Sequence, residues 1–295
     1  MIKNIISIIC FFNFCFAQDL PIPNWENINY AGNNHIYNQL DIYTPNTNQK
    51  NHPVIITVYG SGWKRNDRKA TNYVKRTLIQ PLLESGFAVV SINHRSSSDA
   101  IFPAQIHDVK AAIRYIRGNA LKYGFNAKFI GITGSSSGGH LAAMAGTTSF
   151  IEEMEGEVGN FLNYSSHVNA VVNWYGPTNF LIMDECGSRI VHDNINSPES
   201  LLIGGAIQEN LSKVKLANPI TYISEKTPSF LIFHGMLDGA VPYCQSEVLH
   251  SALKTNNVES QLVLIEDGKH GPKVLIKEYL SMMNEFFKNE LNDNL

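Results

Sequence analysis

Short apolar runs alternate along this chain with longer stretches in which apolar residues recur at helical spacing. The apolar runs cover residues 54–59, 87–92, 129–133, 170–175, 229–234 and 261–266, and they are typical of strands buried on both faces. The helical stretches cover residues 72–84, 104–123, 138–147, 245–255 and 274–288. Alternation of this kind predicts a mostly parallel, doubly wound α/β sheet with helices on both faces.

Two segments depart from this alternation. Residues 38–43 alternate polar and apolar positions, which favours an antiparallel strand at an edge of the sheet. Between residues 177 and 211 the regular alternation lapses, and we expect a short cap insertion above the strand ends. No repeat, linker or low-complexity block divides the chain, so residues 18–295 are expected to form a single domain.

The first residues have the pattern of a secretory signal. A single lysine, Lys3, precedes an almost continuous apolar run over residues 5–16, and the run is followed by Ala17. The run has the length of a signal-peptide core and is shorter than the ~20 residues that cross a membrane. We expect cleavage after residue 17, a secreted or periplasmic protein, and no stable membrane association after cleavage. An uncleaved N-terminal anchor is the alternative.

Composition and charge narrow the classes of partner. The 295-residue chain carries 23 Lys and Arg against 26 Asp and Glu, and it has no basic run. A nucleic-acid-binding protein needs a positive patch to neutralise phosphates, so no nucleic acid is expected as a partner. Loss of the signal would leave two cysteines, Cys186 and Cys244. In an oxidising compartment they form either one disulfide or two buried thiols, and both remain open.

The motif that carries chemistry is Gly-Ser-Ser-Ser-Gly at residues 134–138. It lies between a predicted strand and a predicted helix, which is the context of the G-x-S-x-G nucleophile elbow. The sharp turn of an elbow exposes the central residue, here Ser136, at the end of the strand. A phosphate-binding loop is the other glycine-rich possibility, but its lysine is absent and His140 stands near that position. No nucleotide is therefore expected as a cofactor.

A serine nucleophile needs a base, and the base needs an acid that orients it. Asp238 and His270 each follow a predicted strand, on loops that contain glycine. The chain order Ser136, Asp238, His270 is the order of nucleophile, acid and histidine in α/β-hydrolases. Asp267 is the rival acid, although it is only three residues from His270.

The remaining candidate histidines are placed differently. They are His94, His107, His140, His192 and His234, and none of them lies alone on the loop after the last predicted strand. His107 and His234 are expected to be structural hydrogen-bonding residues. The chain contains no H-E-x-x-H and no paired Cys-x-x-Cys motif, so no metal is expected.

Hydrolysis of an acyl group also requires two donors for the oxyanion of the tetrahedral intermediate. The backbone N–H of Ser137, directly after the elbow serine, is one candidate. The other is expected in the loop after the strand at residues 54–59, where small residues allow close backbone approach. In that loop Ser61 and Gly62 are the candidates.

Four motifs together carry a resemblance to a known family. They are Tyr-Gly-Ser-Gly-Trp at 59–63, Phe-Pro-Ala-Gln-Ile-His-Asp-Val-Lys-Ala-Ala at 102–112, Gly-Ser-Ser-Ser-Gly-Gly-His at 134–140 and His-Gly-Met-Leu-Asp-Gly-Ala-Val-Pro at 234–242. In this combination the chain resembles the secreted bacterial α/β-hydrolase esterases related to hormone-sensitive lipase, and among these the acetyl-xylan and feruloyl esterases. The likeness runs from about residue 40 to the end. It implies the α/β-hydrolase fold and an esterase, with Asp108 in the scaffold.

Two residues depart from the His-Gly-Gly-Gly loop that is usual in that family. Tyr59 replaces the histidine and Ser61 replaces a glycine. Because the oxyanion donors are backbone groups, we expect oxyanion binding to persist.

The expected activity is hydrolysis of carboxylic esters through an acyl-enzyme, with acetyl or another small acyl group removed from a plant polysaccharide or oligosaccharide. The cap insertion is short and polar, which favours a sugar over a long acyl chain. A general carboxylesterase or lipase is one alternative. A peptidase of the prolyl-oligopeptidase type is another alternative, because it would share the elbow and the loop with Asp238 at residues 234–242. A non-catalytic hydrolase-fold binding module is the alternative from another class.

Overall fold

A computed structural model of the protein describes residues 19–47 and 49–293. The predicted signal at residues 1–17 lies outside the described residues. Within the described ranges, the helices are all too short or too polar to cross a lipid bilayer.

The described residues form a single sheet of eight strands. These are β1 (Trp25–Asn29), β2 (Gln39–Tyr43), β3 (His52–Val58), β4 (Ala88–Ile92), β5 (Phe125–Ser135), β6 (Ala170–Trp174), β7 (Ser229–Gly235) and β8 (Ser260–Ile265). Their order across the sheet is β1-β2-β4-β3-β5-β6-β7-β8. All neighbours from β4 to β8 pair in parallel. The predicted mostly parallel α/β fold is confirmed.

The antiparallel edge prediction is half right. β2 pairs antiparallel with β4, with Leu40 opposite Ile92. It is not the edge strand, because β1 pairs antiparallel along its other side. Strand β1 reads Trp-Glu-Asn-Ile-Asn and is largely exposed. It therefore lacks the apolar pattern by which the other strands are recognised.

Helices cover both faces of the sheet. They are α1 (Asn72–Val74), α2 (Gln80–Glu84), α3 (Ala104–Gly118), α4 (Ala120–Tyr123), α5 (Ser137–Thr147), α6 (Glu152–Glu155), α7 (Pro198–Ile203), α8 (Leu211–Leu216), α9 (Cys244–Thr255) and α10 (Lys277–Asp293). A π-helical turn over Lys75–Ile79 joins α1 to α2, so the helical stretch predicted at 72–84 is continuous. The last helix begins three residues later than the pattern predicted.

The two faces of the sheet bury two apolar clusters. Alternate residues of β3 point to opposite faces, so Ile56 packs towards α3, α5 and α9 while Ile55 packs towards α1, α2 and α10. Phe287 of α10 lies directly over Gly131 of β5, where a Cβ atom would come within 2.7 Å of its ring. Truncating such a buried ring costs about 3–5 kcal/mol.

Residues 177–211, here named the cap segment, lie between β6 and β7. The segment contains short helical turns and α7 rather than strands. Cys186 in the segment is bonded to Cys244 at the start of α9. The alternative of two buried thiols is thereby excluded, and the cap segment is covalently joined to the helix that follows β7.

Candidate active site

Ser136 alone connects the end of β5 to the start of α5. Its φ of 55° is positive, which is a strained conformation for a residue with a side chain. The turn is tight: a Cβ atom on Gly134 would collide with the carbonyl of Gly138, and one on Gly138 would collide with the carbonyl of Val58. The Ser136 N–H donates to Trp174 O at 2.8 Å. The local sequence therefore builds an elbow with its serine at the carboxyl edge of the sheet.

The structure brings Ser136, His270 and Asp238 together. His270 Nε2 lies 3.0 Å from Ser136 Oγ, and His270 Nδ1 lies 2.7 Å from Asp238 Oδ2. Asp238 follows β7 by three residues and His270 follows β8 by five. Since parallel strands end at one edge, residues that are 134 positions apart in the chain meet there. Such a chain of hydrogen bonds lets a histidine take the proton of a serine hydroxyl.

Asp238 is buried, and its carboxylate accepts several hydrogen bonds from the protein. Its Oδ1 accepts the N–H groups of Ala240 and Val241 at 2.8 and 2.9 Å. His234 Nε2 stands 3.5 Å from Oδ2. Burial raises the pKa of the Asp238 carboxyl, but the hydrogen bonds to His234 and His270 outweigh it and hold that pKa well below its usual range. The group is therefore a carboxylate at neutral pH.

The rival acid and three of the other candidate histidines have partners of their own. Asp267 is exposed and pairs with Lys273 at 2.6 Å. His140 is buried, with Nε2 2.7 Å from Ala217 O, and burial lowers its pKa to about 4. His107 faces Glu153 O and His234 contacts Val241 O and Ser246 Oγ, in agreement with the structural hydrogen bonds predicted for them. Among residues 19–47 and 49–293, no cluster of three or more His, Cys, Asp or Glu side chains is arranged to hold a metal.

The loop at residues 60–63 passes over the elbow. Gly60 lies so close to it that a Cβ atom there would meet the Ser135 carbonyl. The Ser61 N–H donates to the hydroxyl of Ser137 at 2.8 Å. That N–H is engaged, whereas the Gly62 N–H has no acceptor among the described residues. The Ser137 N–H belongs to the first turn of α5, where backbone donors have no partner inside the helix.

The contact of the Ser137 hydroxyl with this loop was not predicted. The sequence analysis identified only the backbone N–H of Ser137 as a candidate group. Beyond the contact, the loop turns through two residues of positive φ, Gly62 and Trp63. The Trp63 ring is buried edge-on to His140 and Phe180, at ring-centre distances of 5.2 and 5.7 Å. The loop is therefore held at both ends.

A cavity of about 360 Å³ opens in front of Ser136. It is lined by Gly60, Ser61, Gly62, Tyr73, Ser135, Ser136, Tyr175, His270 and Gly271. The two tyrosines were missed by the sequence analysis. Tyr175 directly follows β6, so its position at a strand end was the signal that could have identified it. Tyr73 lies on α1 and has no such signal.

The cap segment contacts both the loop that carries Asp238, residues 236–241, and the loop over the elbow. Pro198 lies against Gly62, and the Arg189 N–H donates to Gly239 O at 2.9 Å. His192 Nε2 lies 3.0 Å from Ala240 O, and its Nδ1 lies 2.9 Å from Glu199 Oε2. The cap segment therefore supports both the loop over the elbow and the loop that carries Asp238.

Comparison with protein families places most of the chain in one of them. The BD-FAE family model matches residues 40–253, which run from β2 into α9. The match includes Ser136 and Asp238 and ends before His270.

Curated proteins and solved structures add further likenesses. Esterase LipQ of Mycobacterium tuberculosis is 32% identical over 203 residues, which are 68% of this chain and 46% of that esterase. The chain spans about half the length of the curated relatives it matches. A truncated carbohydrate esterase from gut microbiota is 41% identical with a TM-score of 0.88, covering 93% of this chain and 98% of that one. A bifunctional GH43-CE protein of Bacteroides eggerthii is 44% identical with a TM-score of 0.85, covering 90% of this chain and 35% of that one.

Proposed function

Because the chain belongs to the BD-FAE family, we propose that it is a serine ester hydrolase that removes acetyl or other small acyl groups from a carbohydrate. The observation that carries the proposal is the hydrogen-bonded series from Ser136 Oγ through His270 to Asp238, at 3.0 and 2.7 Å. The esterase names of the relatives support the same class of reaction.

In the first half-reaction Ser136 Oγ attacks the ester carbonyl and His270 Nε2 takes the hydroxyl proton. Asp238 accepts the Nδ1–H of the ring, which keeps Nε2 free as the base and stabilises the imidazolium. The carbonyl oxygen becomes an oxyanion that accepts the N–H groups of Ser137 and Gly62. We assign Gly62 rather than Ser61, since the Ser61 N–H already donates to Ser137. Each such donor is typically worth ~3 kcal/mol of barrier.

The tetrahedral intermediate then collapses. The bond from the carbonyl carbon to the alcohol oxygen breaks, and the His270 imidazolium gives its proton to that oxygen, so the alcohol leaves. The acyl group remains on Ser136 Oγ. In the second half-reaction a water molecule gives a proton to His270 and attacks the acyl carbon. The bond from that carbon to Ser136 Oγ then breaks, the His270 imidazolium returns its proton to Oγ, and the carboxylic acid leaves.

The residues that line the cavity favour a substrate with a small acyl group. They consist of glycines, serines, two tyrosines and the histidine, without an aliphatic side chain. Each methylene that a site cannot bury forfeits about 0.8 kcal/mol. Lengthening the acyl chain should therefore bring no gain, and the relatives whose titles name carbohydrate esterases support a sugar as the alcohol.

Two measurements test the proposal. A fluorophosphonate should label the protein, with the adduct on Ser136, whereas a binding module would stay unlabelled. The values of kcat/KM for p-nitrophenyl acetate through decanoate should be highest at the short end, with acetate released from acetylated xylan. A steady rise towards decanoate without acetate release would instead identify a general carboxylesterase or lipase, and cleavage of prolyl peptides a peptidase.

We also propose that the protein acts outside the reducing cytosol. The disulfide between Cys186 and Cys244 supports this, because such bonds persist in oxidising compartments.

A further inference from the structure

Tyr175 holds an unusual place beside the proposed base. It is buried, its φ is 42°, and its ring centre lies 4.8 Å from that of His270 in an edge contact. Its N–H donates to Phe233 O at 2.7 Å, which anchors the backbone. A positive φ is costly for a bulky residue and persists where the surroundings enforce it, often at functional sites.

The hydroxyls of Tyr175 and Tyr73 lie side by side in the cavity. Tyr73, Tyr175 and Ser135 all line the cavity. A Cβ atom on Gly271 would stand 3.1 Å from Tyr73 Oη and 3.6 Å from Tyr175 Oη. Both hydroxyls therefore adjoin the residue that follows His270.

The three hydroxyls differ in how accessible they are to a ligand. Each carries one hydrogen to donate and accepts at two lone pairs. Ser135 and Tyr175 are buried, whereas Tyr73 is 52% exposed. The hydroxyl best placed to donate to a bound ligand is accordingly that of Tyr73.

The chemistry of the reaction identifies which half of the ester meets this end. His270 must give its proton to the oxygen of the leaving alcohol, so the alcohol lies next to the imidazole. Of the two proposed oxyanion donors, the Gly62 N–H lies in the loop over the elbow and the Ser137 N–H begins α5, whereas the Tyr175 ring contacts His270 and both tyrosine hydroxyls adjoin Gly271. The tyrosines therefore face the alcohol.

We propose that Tyr73 and Tyr175 form a subsite for the alcohol, and that this alcohol is a sugar with a free hydroxyl beside the acylated position. The Tyr73 hydroxyl hydrogen-bonds that neighbouring hydroxyl, and the exposed Tyr73 ring packs on the C–H face of the sugar. Tyr175, whose ring contacts His270, completes the wall beside it. The inference rests on the proposed function and deepens it.

The test pairs one variant with two matched substrates. Tyr73→Phe removes the hydroxyl and keeps the ring. The substrates are a mono-acetylated methyl xyloside with a free hydroxyl next to the ester and the same compound with that hydroxyl methylated. The wild-type protein should prefer the free-hydroxyl substrate in kcat/KM by about tenfold, the usual size of one hydrogen bond, and Tyr73→Phe should abolish the preference. Tyr164 is exposed and is not among the residues that line the cavity, so Tyr164→Phe is the control and should keep the preference.

The remaining outcomes are decisive as well. Equal losses of Tyr73→Phe on both substrates would overturn the subsite, because the hydroxyl would then act only on structure. Cleavage of p-nitrophenyl acetate without cleavage of either xyloside would overturn the subsite and leave the serine esterase standing. Failure to cleave any ester, in protein with a normal thermal transition, would overturn the proposed function and the subsite with it.

Discussion

Two regions meet around the cavity, and they are held by different forces. The strand-end loops, residue 136 and residues 236–241 and 266–271, follow β5, β7 and β8 directly. Their start points are set by parallel backbone pairing, for example Ser135 with Trp174 and Gly235 with Ile265. The cap segment pairs with no strand. It is joined to the rest of the molecule by the disulfide of Cys186, by the contact of His192 with Ala240 O and by single backbone hydrogen bonds such as that from Arg189 to Gly239, while the contact of His192 with Glu199 ties the segment internally.

This difference explains why residues important for activity and residues important for stability lie in different regions. Backbone pairing fixes atoms whatever the side chains are, so a side chain on a strand-end loop can be chosen for reactivity. In the cap segment, by contrast, the side chains themselves hold the backbone in place. Substitutions of the proposed reacting side chains in the strand-end loops should therefore remove activity and spare stability, and substitutions of the side chains that hold the cap segment should do the reverse.

Removal of the elbow hydroxyl should give the largest effect. Ser136→Ala is expected to lower kcat by a factor of about 10⁴ to 10⁶, because no acyl-enzyme can form. The thermal transition should stay within a degree or so of the wild type, since the side chain fills no core. Steady-state hydrolysis of p-nitrophenyl acetate and a melting curve measure both, with Ser251→Ala on an exposed face of α9 as the control. Near-normal turnover would end the elbow assignment.

The acid comes next. Asp238→Asn should lower kcat by roughly 10⁴, since an amide there favours the wrong tautomer of His270. Asp267→Asn should change kcat less than twofold, because its exposed carboxylate pairs with Lys273. The two variants are compared on one ester at one pH. A large loss confined to Asp267→Asn would reverse the assignment.

Opening the disulfide tests the cap segment. Replacing both Cys186 and Cys244 by serine frees a closed loop of 58 residues, which should lower the free energy of unfolding by about 2–4 kcal/mol. The loss of kcat should be under about tenfold, because none of the reacting groups is removed. Urea unfolding monitored beside activity gives both values. An unchanged unfolding midpoint, or a collapse of kcat in folded protein, would contradict the contrast between the regions.

The smallest effect concerns the pH response of the cap segment. Burial lowers the pKa of His192, but the Glu199 carboxylate outweighs it, aided by Asp184, so the pKa is raised overall. A raised pKa in the folded state means that the pair stabilises the fold fully below the unfolded pKa of ~6.5, and that this stabilisation is lost as pH rises through the folded value. The melting temperature of the wild type should thus fall from pH 6 to pH 9 relative to His192→Gln. If melting temperature varied with pH in the same way for both proteins, the His192–Glu199 pair would not be the source of the pH response.

Parts of the fold were predictable because their signals are local. A buried parallel strand reads as a short apolar run, and an elbow reads as glycines around a serine between strand and helix. Strand β1 escaped because its side chains face solvent and carry no apolar period. Tyr73 and the Ser137 hydroxyl escaped because nothing in their neighbourhood along the chain marks a residue that lines a cavity or tethers a loop.

By itself the sequence determined the alternating α/β architecture and the chain order of Ser136, Asp238 and His270. Only the tertiary structure decided which groups touch: Cys186 with Cys244, the Ser61 N–H with the Ser137 hydroxyl, and Tyr175 with His270. The physical reason is range. Secondary structure follows from neighbours a few residues apart, whereas these contacts depend on the strand order and on how the connecting segments return across the edge of the sheet.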